Sequence, residues 1–583
     1  MRHSFASLVA ASLIILAAAC GPATTGSGDD AGGDDTVCTD GQTRCDGTAR
    51  QSCVDGAWST VETCANVCDN DLGCVVCLPG TGTCNGDTAH ECRLDGSGYD
   101  DVFCDPDQGM SCGASGTCEG LCAPNTLGQT YFGCDYWPTV TGNPVSPDYH
   151  YAVVVANTSS QMATIRVDGG ALTAQESFTV PGGAAVVHNL PWVAALKLCT
   201  PGVQDPFTCT SQTHPNSGLA VDGAYHLRSD VPVTVYQFNP IEYAYSGVTY
   251  NSYTNDASLL FPTTAWRGEH YVASWNDTAD VHPGLMAITA YQDGTQVTVT
   301  TRAATTGEGG APAMVAGTPQ TMTLNAGDVL QLGTVTGNGP NDDLTGSHVT
   351  SDKPVQVIGG HYCANVPEGF GYCDHMEEVM LSVEALGAEY VVNAPAVTTI
   401  PAGKEETVRI VATEAGTTLS YEPPQAGAPT SIANAGDWVE IPRQAASYLL
   451  TANKKVLVAQ FMEGSSVAGN TGDPAMALAV PVDQFRKEYL FHAPTNYETN
   501  YVDITAPVGA SVILDGVAVT GWIGIGTSGW QLARITPLGD GPTADGNHLI
   551  TGDMGFGISV YGYGTDTSYW YPGGLDLKRV VVE

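Results

Sequence analysis

His361-Tyr362-Cys363 and Cys373-Asp374-His375 flank a short loop, with Glu377 and Glu378 just beyond. Two His-x-Cys arms in mirror order could furnish a tetrahedral zinc site with a carboxylate nearby, the parts of a metal-assisted hydrolase. The competing reading is a disulfide that closes the loop, leaving His375 and the glutamates as surface polar groups. Cys199 and Cys209 show the same ten-residue separation, and Cys122 with Cys134 nearly so, without flanking histidine pairs. That recurrence suits loop staples better than a metal centre. Cys122, Cys134, Cys199, Cys209, Cys363 and Cys373 are therefore disulfide candidates. No cofactor or catalytic residue is expected, and His361, Cys363, Cys373 and His375 form the alternative metal set. Loops on one face of a β-sandwich are common binding surfaces, which makes Tyr362, Phe370, Tyr372 and His375 the ligand candidates.

Other chemical motifs fail on context. Gly524-Ile525-Gly526-Thr527-Ser528-Gly529 matches a dinucleotide fingerprint in letters, but no βαβ pattern surrounds it and a Gly-rich hairpin explains it. There is no nucleophile elbow, His-Glu-x-x-His helix or phosphate loop. Acidic residues are plentiful, so a secreted hydrolase, glycosidase-like or zinc-dependent, stands as the alternative function.

The elements that must position these residues are strands. From about Cys134 onward Val, Ile, Thr and Tyr alternate with frequent Gly and Pro. One phrase recurs: Tyr225 to Val235, Ser347 to Val357, Tyr448 to Val458 and Asn547 to Ile558, with Asp230, Asp352, Asn453 and Asp553 in the same place, 122, 101 and 100 residues apart. It reads as two strands joined by a turn that the Asp or Asn begins by bonding its own backbone. Asn325-Ala326-Gly327-Asp328 recurs as Asn434-Ala435-Gly436-Asp437. Each copy is expected to open with a strand, at Tyr151 to Ala156, Tyr271 to Trp275, Tyr390 to Asn393 and Tyr489 to His492. Six or seven short strands in about 100 residues favour four antiparallel sandwiches, in series or paired.

Before them lie two copies of a six-cysteine pattern, Cys38 to Cys74 and Cys77 to Cys118, in closely matching register. Turn dipeptides recur with it: Asp46-Gly47 with Asn85-Gly86, and Asp55-Gly56 with Asp95-Gly96. Modules this small bury too little apolar surface to fold unaided, so disulfides must serve as their core, though sequence cannot choose among the pairings.

At the start, Arg2, the apolar run Leu8 to Leu16 and Ala17-Ala18-Ala19 before Cys20 read as a secretory signal with a lipoprotein cleavage site. Cys20 is the expected lipidated residue, and Gly21 to Thr36 an acidic, flexible tether. Twenty Lys and Arg against 61 Asp and Glu give a formal net charge of −41, which repels a phosphate backbone and excludes nucleic acid as a partner.

From about Phe261 to Pro395 the ordered motifs Trp275-Asn276, Asp293-Gly294-Thr295, Asn325-Ala326-Gly327-Asp328, Ser351-Asp352-Lys353-Pro354-Val355 and Cys363 with Val366-Pro367 before Cys373-Asp374-His375 resemble the N-terminal domain of the IgG Fc-binding protein family. Weaker similarity runs over most of residues 149 to 571. The resemblance implies adhesive modules, not enzymes, and an extracellular interaction role.

The expected organisation is an all-β chain of tandem antiparallel β-sandwich-like repeats preceded by two small disulfide-rich modules. Residues 1–19 are signal, 20–36 anchor and tether, 37–75 and 76–122 the cysteine-rich modules, and 123–258, 259–380, 381–480 and 481–583 the four repeats. The expected function is a secreted, membrane-anchored lipoprotein of a bacterial outer membrane or cell surface that binds an extracellular protein or glycan without catalysis.

Overall fold

A computed structural model of the chain describes residues 38–93, 95–127, 130–197, 216–244, 248, 250–276, 282–397, 404–467 and 471–577. The expected signal, Cys20, the tether and the pair Cys199 and Cys209 lie outside them. The protein is all-β: almost every described element is an antiparallel strand. It forms two compact units, residues 1–82 with 91–100, and residues 83–90 with 101–583.

In the first unit, Thr43–Asp46, Ala49–Val54 and Ala57–Thr63 form a three-stranded sheet, followed by the hairpin of Val67–Asp69 and Gly73–Val75. Asp55 and Gly56 both adopt left-handed backbone, at φ 53° and 75°, the conformation a tight hairpin turn requires. The bridges are Cys38–Cys53, Cys45–Cys68 and Cys64–Cys74, so the first cysteine pairs with the third, the second with the fifth and the fourth with the sixth. Cys77–Cys92, Cys84–Cys112 and Cys104–Cys118 repeat that connectivity in the second set of six. The register of the cysteines thus reflects a repeated pairing.

The larger unit holds four copies of one two-sheet motif. Each is organised by a long strand: Tyr225–Asn239, His348–Ala364, Tyr448–Met462 and Asn547–Gly564. In the first copy the early half of the long strand pairs with Gly133–Tyr136 and Ala163–Gly169, and the late half with Tyr151–Asn157 and Asp256–Leu260. The long strand therefore passes from one sheet of the sandwich to the other. The passage is a bulge in the same register every time, since Gly133, Arg267, Gly387 and Arg486 pair with Val233, Val355, Val456 and Phe556, but the residue two places on pairs five positions earlier.

The recurring Asp or Asn sits in this bulge, and no turn separates two strands there. Its side-chain oxygen accepts the N–H of the neighbouring strand: Thr164 to Asp230 at 2.7 Å, Gln296 to Asp352 at 2.8 Å, Thr418 to Asn453 at 2.7 Å and Ser511 to Asp553 at 2.9 Å. A carboxylate or amide oxygen thus replaces the carbonyl that the bulge has turned away. The same register corrects the expected opening strand of the first copy. Gly133–Tyr136, not Tyr151 to Ala156, is the counterpart of Arg267–Tyr271, Gly387–Val392 and Arg486–His492. Tyr136, Tyr390 and Tyr489 occupy one position there and donate to the carbonyls of Val233, Val456 and Phe556; His270 fills it in the second copy.

The four copies are neither strung in series nor merely paired. Their last strands, Asp256–Leu260, Asp374–Val379, Met476–Leu478 and Thr567–Pro572, pack side by side, each hydrogen-bonded to its own long strand. In addition Gly218–Ala220, which precedes the first long strand, pairs with Val329–Gly333 of the second copy.

Burial of charge in this assembly carries a pH dependence. Glu406 is fully buried and accepts from Gln460 Nε2 at 2.7 Å. Burial pushes its carboxyl up to about 8, with Asp503 adding to the rise and the Gln460 bond and Arg534 opposing it. Below the unfolded value near 4.5 both states are protonated. Between there and about 8 the unfolded chain releases a proton that the folded chain keeps, so stability falls as pH rises through that window. Glu406→Gln is expected to raise the thermal midpoint by several degrees at pH 8.5 and to leave it unchanged at pH 4.5. Equal shifts at both pH values would count against this origin.

Candidate functional site

Cys363 is the last residue but one of the second long strand and Asp374 begins the strand that returns beside it. The connection between them is closed by a Cys363–Cys373 disulfide, with Cα atoms 5.1 Å apart. Both thiols are thereby spent, and the alternative zinc set loses its two sulfur ligands. Cys122 and Cys134 are likewise joined. Among the described residues no group of three or more His, Cys, Asp and Glu is arranged to hold a metal ion.

The loop divides the four ligand candidates. Phe370 is 43% exposed and Tyr372 60% exposed, the latter with left-handed backbone at φ 70°. Tyr362 and His375 are buried and offer no surface, which corrects the expectation for both. Tyr362 lies in the half of the long strand that is buried on both faces, against the His282 ring, 5.4 Å away and nearly parallel. The loop is held from outside as well: Gly464 N–H donates to Val366 O at 2.8 Å, and Ser466 Oγ to Gly371 O at 3.0 Å. A disulfide at the base and two bonds to backbone carbonyls along the side restrain the loop backbone that carries Phe370 and Tyr372.

Behind the loop lies a buried polar core. His375, Glu377 and Glu378 are buried, where the loop-staple reading had placed them on the surface. Glu377 accepts from Gln237 Nε2 at 2.8 Å, from Asn239 Nδ2 at 3.0 Å and from the Thr141 hydroxyl; His375 Nε2 lies 3.3 Å from Glu377 and 3.2 Å from Asn239 Nδ2. Glu378 accepts from Ser258 Oγ at 2.9 Å, and burial pushes its carboxyl well above the usual carboxylate range. Burial likewise holds the His361 imidazole well below its ordinary value, which keeps the ring neutral. Asp374 accepts from the N–H groups of Asn255 at 2.7 Å and Ser568 at 3.1 Å and from Thr567 Oγ1 at 2.9 Å.

Asp256 is the centre of this network, and the sequence reading missed it. Its carboxylate accepts the backbone N–H groups of Ala257 at 2.9 Å, Glu377 at 3.0 Å, Met476 at 3.3 Å and Trp570 at 3.1 Å, one from each of the four central strands. The central strands are thus tied by side chains. The available signal was an Asp at the head of the last strand in two copies, Asp256 and Asp374, next to a run that otherwise reads apolar. These groups are buried, and the exposed aromatic surface of the loop consists of Phe370 and Tyr372.

The family described as IgGFc binding protein matches residues 256–562, which begin at the central Asp256 and end within the last long strand. The human IgGFc-binding protein is 28% identical over 321 residues, covering 54% of this chain and 6% of that protein. This chain therefore corresponds to a small part of its human relative. Among solved structures, the major pilin from Streptococcus pyogenes aligns over 53% of this chain at 8% identity with a TM-score of 0.11, and a tetra-tandem repeat of a large adhesion protein over 76% at 11% identity with a TM-score of 0.08. Scores this low carry no argument about the fold. The family match spans more than half of the chain, and it takes in the second and third two-sheet copies, most of the fourth and the strand that ties the first to them: the protein belongs to the IgGFc-binding protein family.

Proposed function

We propose that the protein is a cell-surface lipoprotein that binds an extracellular protein through the Cys363–Cys373 loop, without catalysis. The observation that carries this reading is the placement of aromatic surface. The exposed aromatic rings among the described residues are Tyr99, Phe103, Phe370 and Tyr372, and two of these four share one stapled loop. Aromatic side chains on a restrained loop contribute large contact area at low entropic cost, which is how interface hot spots are built. Cys20, lipidated behind its signal, would hold the chain on a membrane at about 0.8 kcal/mol per buried methylene, and the acidic tether and disulfide modules would carry the repeats away from it. Display of many copies on one surface raises avidity through effective concentration. A glycan partner is the alternative ligand class for the same loop.

The name of the human relative makes immunoglobulin Fc the first ligand to try, followed by extracellular matrix proteins and a glycan array. With any ligand that binds, replacing Phe370 and Tyr372 together by serine is expected to weaken binding at least about tenfold in calorimetry while the thermal midpoint stays within a degree or two. Unchanged affinity would remove the loop from the interface. Competition by free sugar would assign the partner to glycan.

A further inference from the structure

Beside the first two repeats lies a cleft of about 540 Å³, against about 20 and 40 Å³ for two smaller cavities in the chain. Its size falls in the range of small-ligand pockets, roughly 300–1,000 Å³, whereas the others have room for a water or two. The walls are largely apolar, with Phe103, Met110, Trp266, Tyr291 and Pro354 among them, and the cationic group is Arg267.

The charges of the cleft do not balance at Arg267. Asp135 is engaged by His226 Nε2 at 2.9 Å and by Thr263 Oγ1 at 3.1 Å, and Asp105 lies 3.6 Å from Arg228. Arg267 instead donates to the carbonyls of Thr264 at 3.2 Å and Trp266 at 2.5 Å, with no carboxylate oxygen within ion-pair distance among the described residues. Burial lowers the half-buried guanidinium from its ordinary value, with Glu384 and Tyr291 opposing the fall from farther away.

The repeat itself shows what such a guanidinium takes. Arg267 and Arg486 hold the same place, opposite Val355 and Phe556 at the bulge. Arg486 lies 4.7 and 4.5 Å from the rings of Tyr131 and Phe132, and its Nη1 is 4.0 Å from the carboxylate of Asp576. At Arg267, Trp266 and Tyr291 line the same cleft and meet edge-to-face at 5.4 Å, and among the described residues no carboxylate forms an ion pair with the guanidinium. We propose that this cleft binds a carboxylate carried beside an apolar side chain, as at the C-terminus of a peptide. Arg267 takes the carboxylate, for which its planar fork is suited. Phe103, Met110 and Pro354 take the side chain.

The site is separate from the stapled loop, and the test keeps them apart. N-acetyl-phenylalanine, its amide, and an N-acetylated tripeptide ending in phenylalanine are titrated calorimetrically into the full protein. The acid is expected to bind at least about tenfold more tightly than the amide, the contribution of a charge-assisted pair. Tighter binding of the tripeptide assigns the cleft to chain termini, and equal binding assigns it to small acyl amino acids; both support the carboxylate site. Arg267→Gln should abolish the preference for acid over amide, Phe103→Ser should weaken both alike, and the Phe370 and Tyr372 double variant should change neither. Equal affinities for acid and amide, no binding of the acid at millimolar concentration, or a preference that survives Arg267→Gln would overturn the proposal. Should Arg267→Gln fold poorly, Arg267→Lys, which keeps the charge and loses the fork, is expected to retain part of the preference.

Discussion

Replacing Asp256 with alanine is expected to lower stability by about 4–6 kcal/mol, since a buried donor left without its acceptor costs roughly 1–3 kcal/mol and four lose theirs together. The four N–H groups belong to Ala257, Glu377, Met476 and Trp570, which lie on four strands that share no backbone ladder among the described residues. Burial pushes the Asp256 carboxyl up while those donors oppose the rise. Four donors and no competing acceptor suit two bare oxygens, so Asp256→Asn, which keeps the shape and turns one oxygen into another donor, is expected to be destabilising as well, by about 2–3 kcal/mol. That near-isosteric variant separates the hydrogen-bond argument from the cavity left by alanine. Thermal unfolding followed by near-ultraviolet circular dichroism reports on Trp570 and the tyrosines packed around it. A loss under about 1 kcal/mol for both variants would show that the N–H groups find other partners, and the claim that one carboxylate ties the four repeats would fail.

Much of this architecture was legible in the sequence, and the part that was not has a physical reason. Disulfide modules and tandem copies announce themselves through spacing, because a bulge or a bridge must recur at the same place in each unit. What the recurring Asp or Asn does was misread: its partner is Thr164, Gln296, Thr418 or Ser511, between 35 and 66 residues away, where the local reading supplied the residue's own backbone. Tyr151 drew the opening strand of the first copy to itself, although Tyr136 makes the hydrogen bond that defines the position. The burial of His375, Glu377 and Glu378 is harder still. A charged run beside a disulfide loop reads as surface unless its partners are known, and here they are Thr141, Gln237, Asn239 and Ser258, all from the first copy and 120 to 236 residues distant. The Arg267 cleft gave no linear signal, since its walls come from residues between Val102 and Pro354.

Arg409→Ala is expected to cost about 3–5 kcal/mol, because removing one partner of a buried ion pair leaves the other charge desolvated and alone. The Arg409 guanidinium, 3% exposed, belongs to the third repeat and reaches into the second, with Nη1 2.8 Å from Asp343 Oδ2 and 2.6 Å from the Ser274 carbonyl. It is also enclosed by rings, 3.9 Å from Trp275, 4.4 Å from Trp438 and 5.3 Å from Phe461. Three aromatic faces and two carboxylates, Asp343 and Glu440, lose their partner when the side chain is cut back to alanine. Lysine keeps the charge but cannot stack a planar fork between Trp275 and Trp438, so Arg409→Lys should recover less than half of the loss. Asp343→Asn in the Arg409→Ala background should return some stability by removing the stranded carboxylate, and the double-mutant cycle gives the coupling directly. Because the pair is buried, the effect should persist at high salt, where a surface ion pair would be screened. The site of first opening is a second readout: limited proteolysis of Arg409→Ala should cut between the second and third repeats before it cuts within either. Cleavage elsewhere at the same rate as the parent protein, with a stability loss under about 1 kcal/mol, would mean that apolar packing at Trp275 and Phe461 holds this junction without the guanidinium.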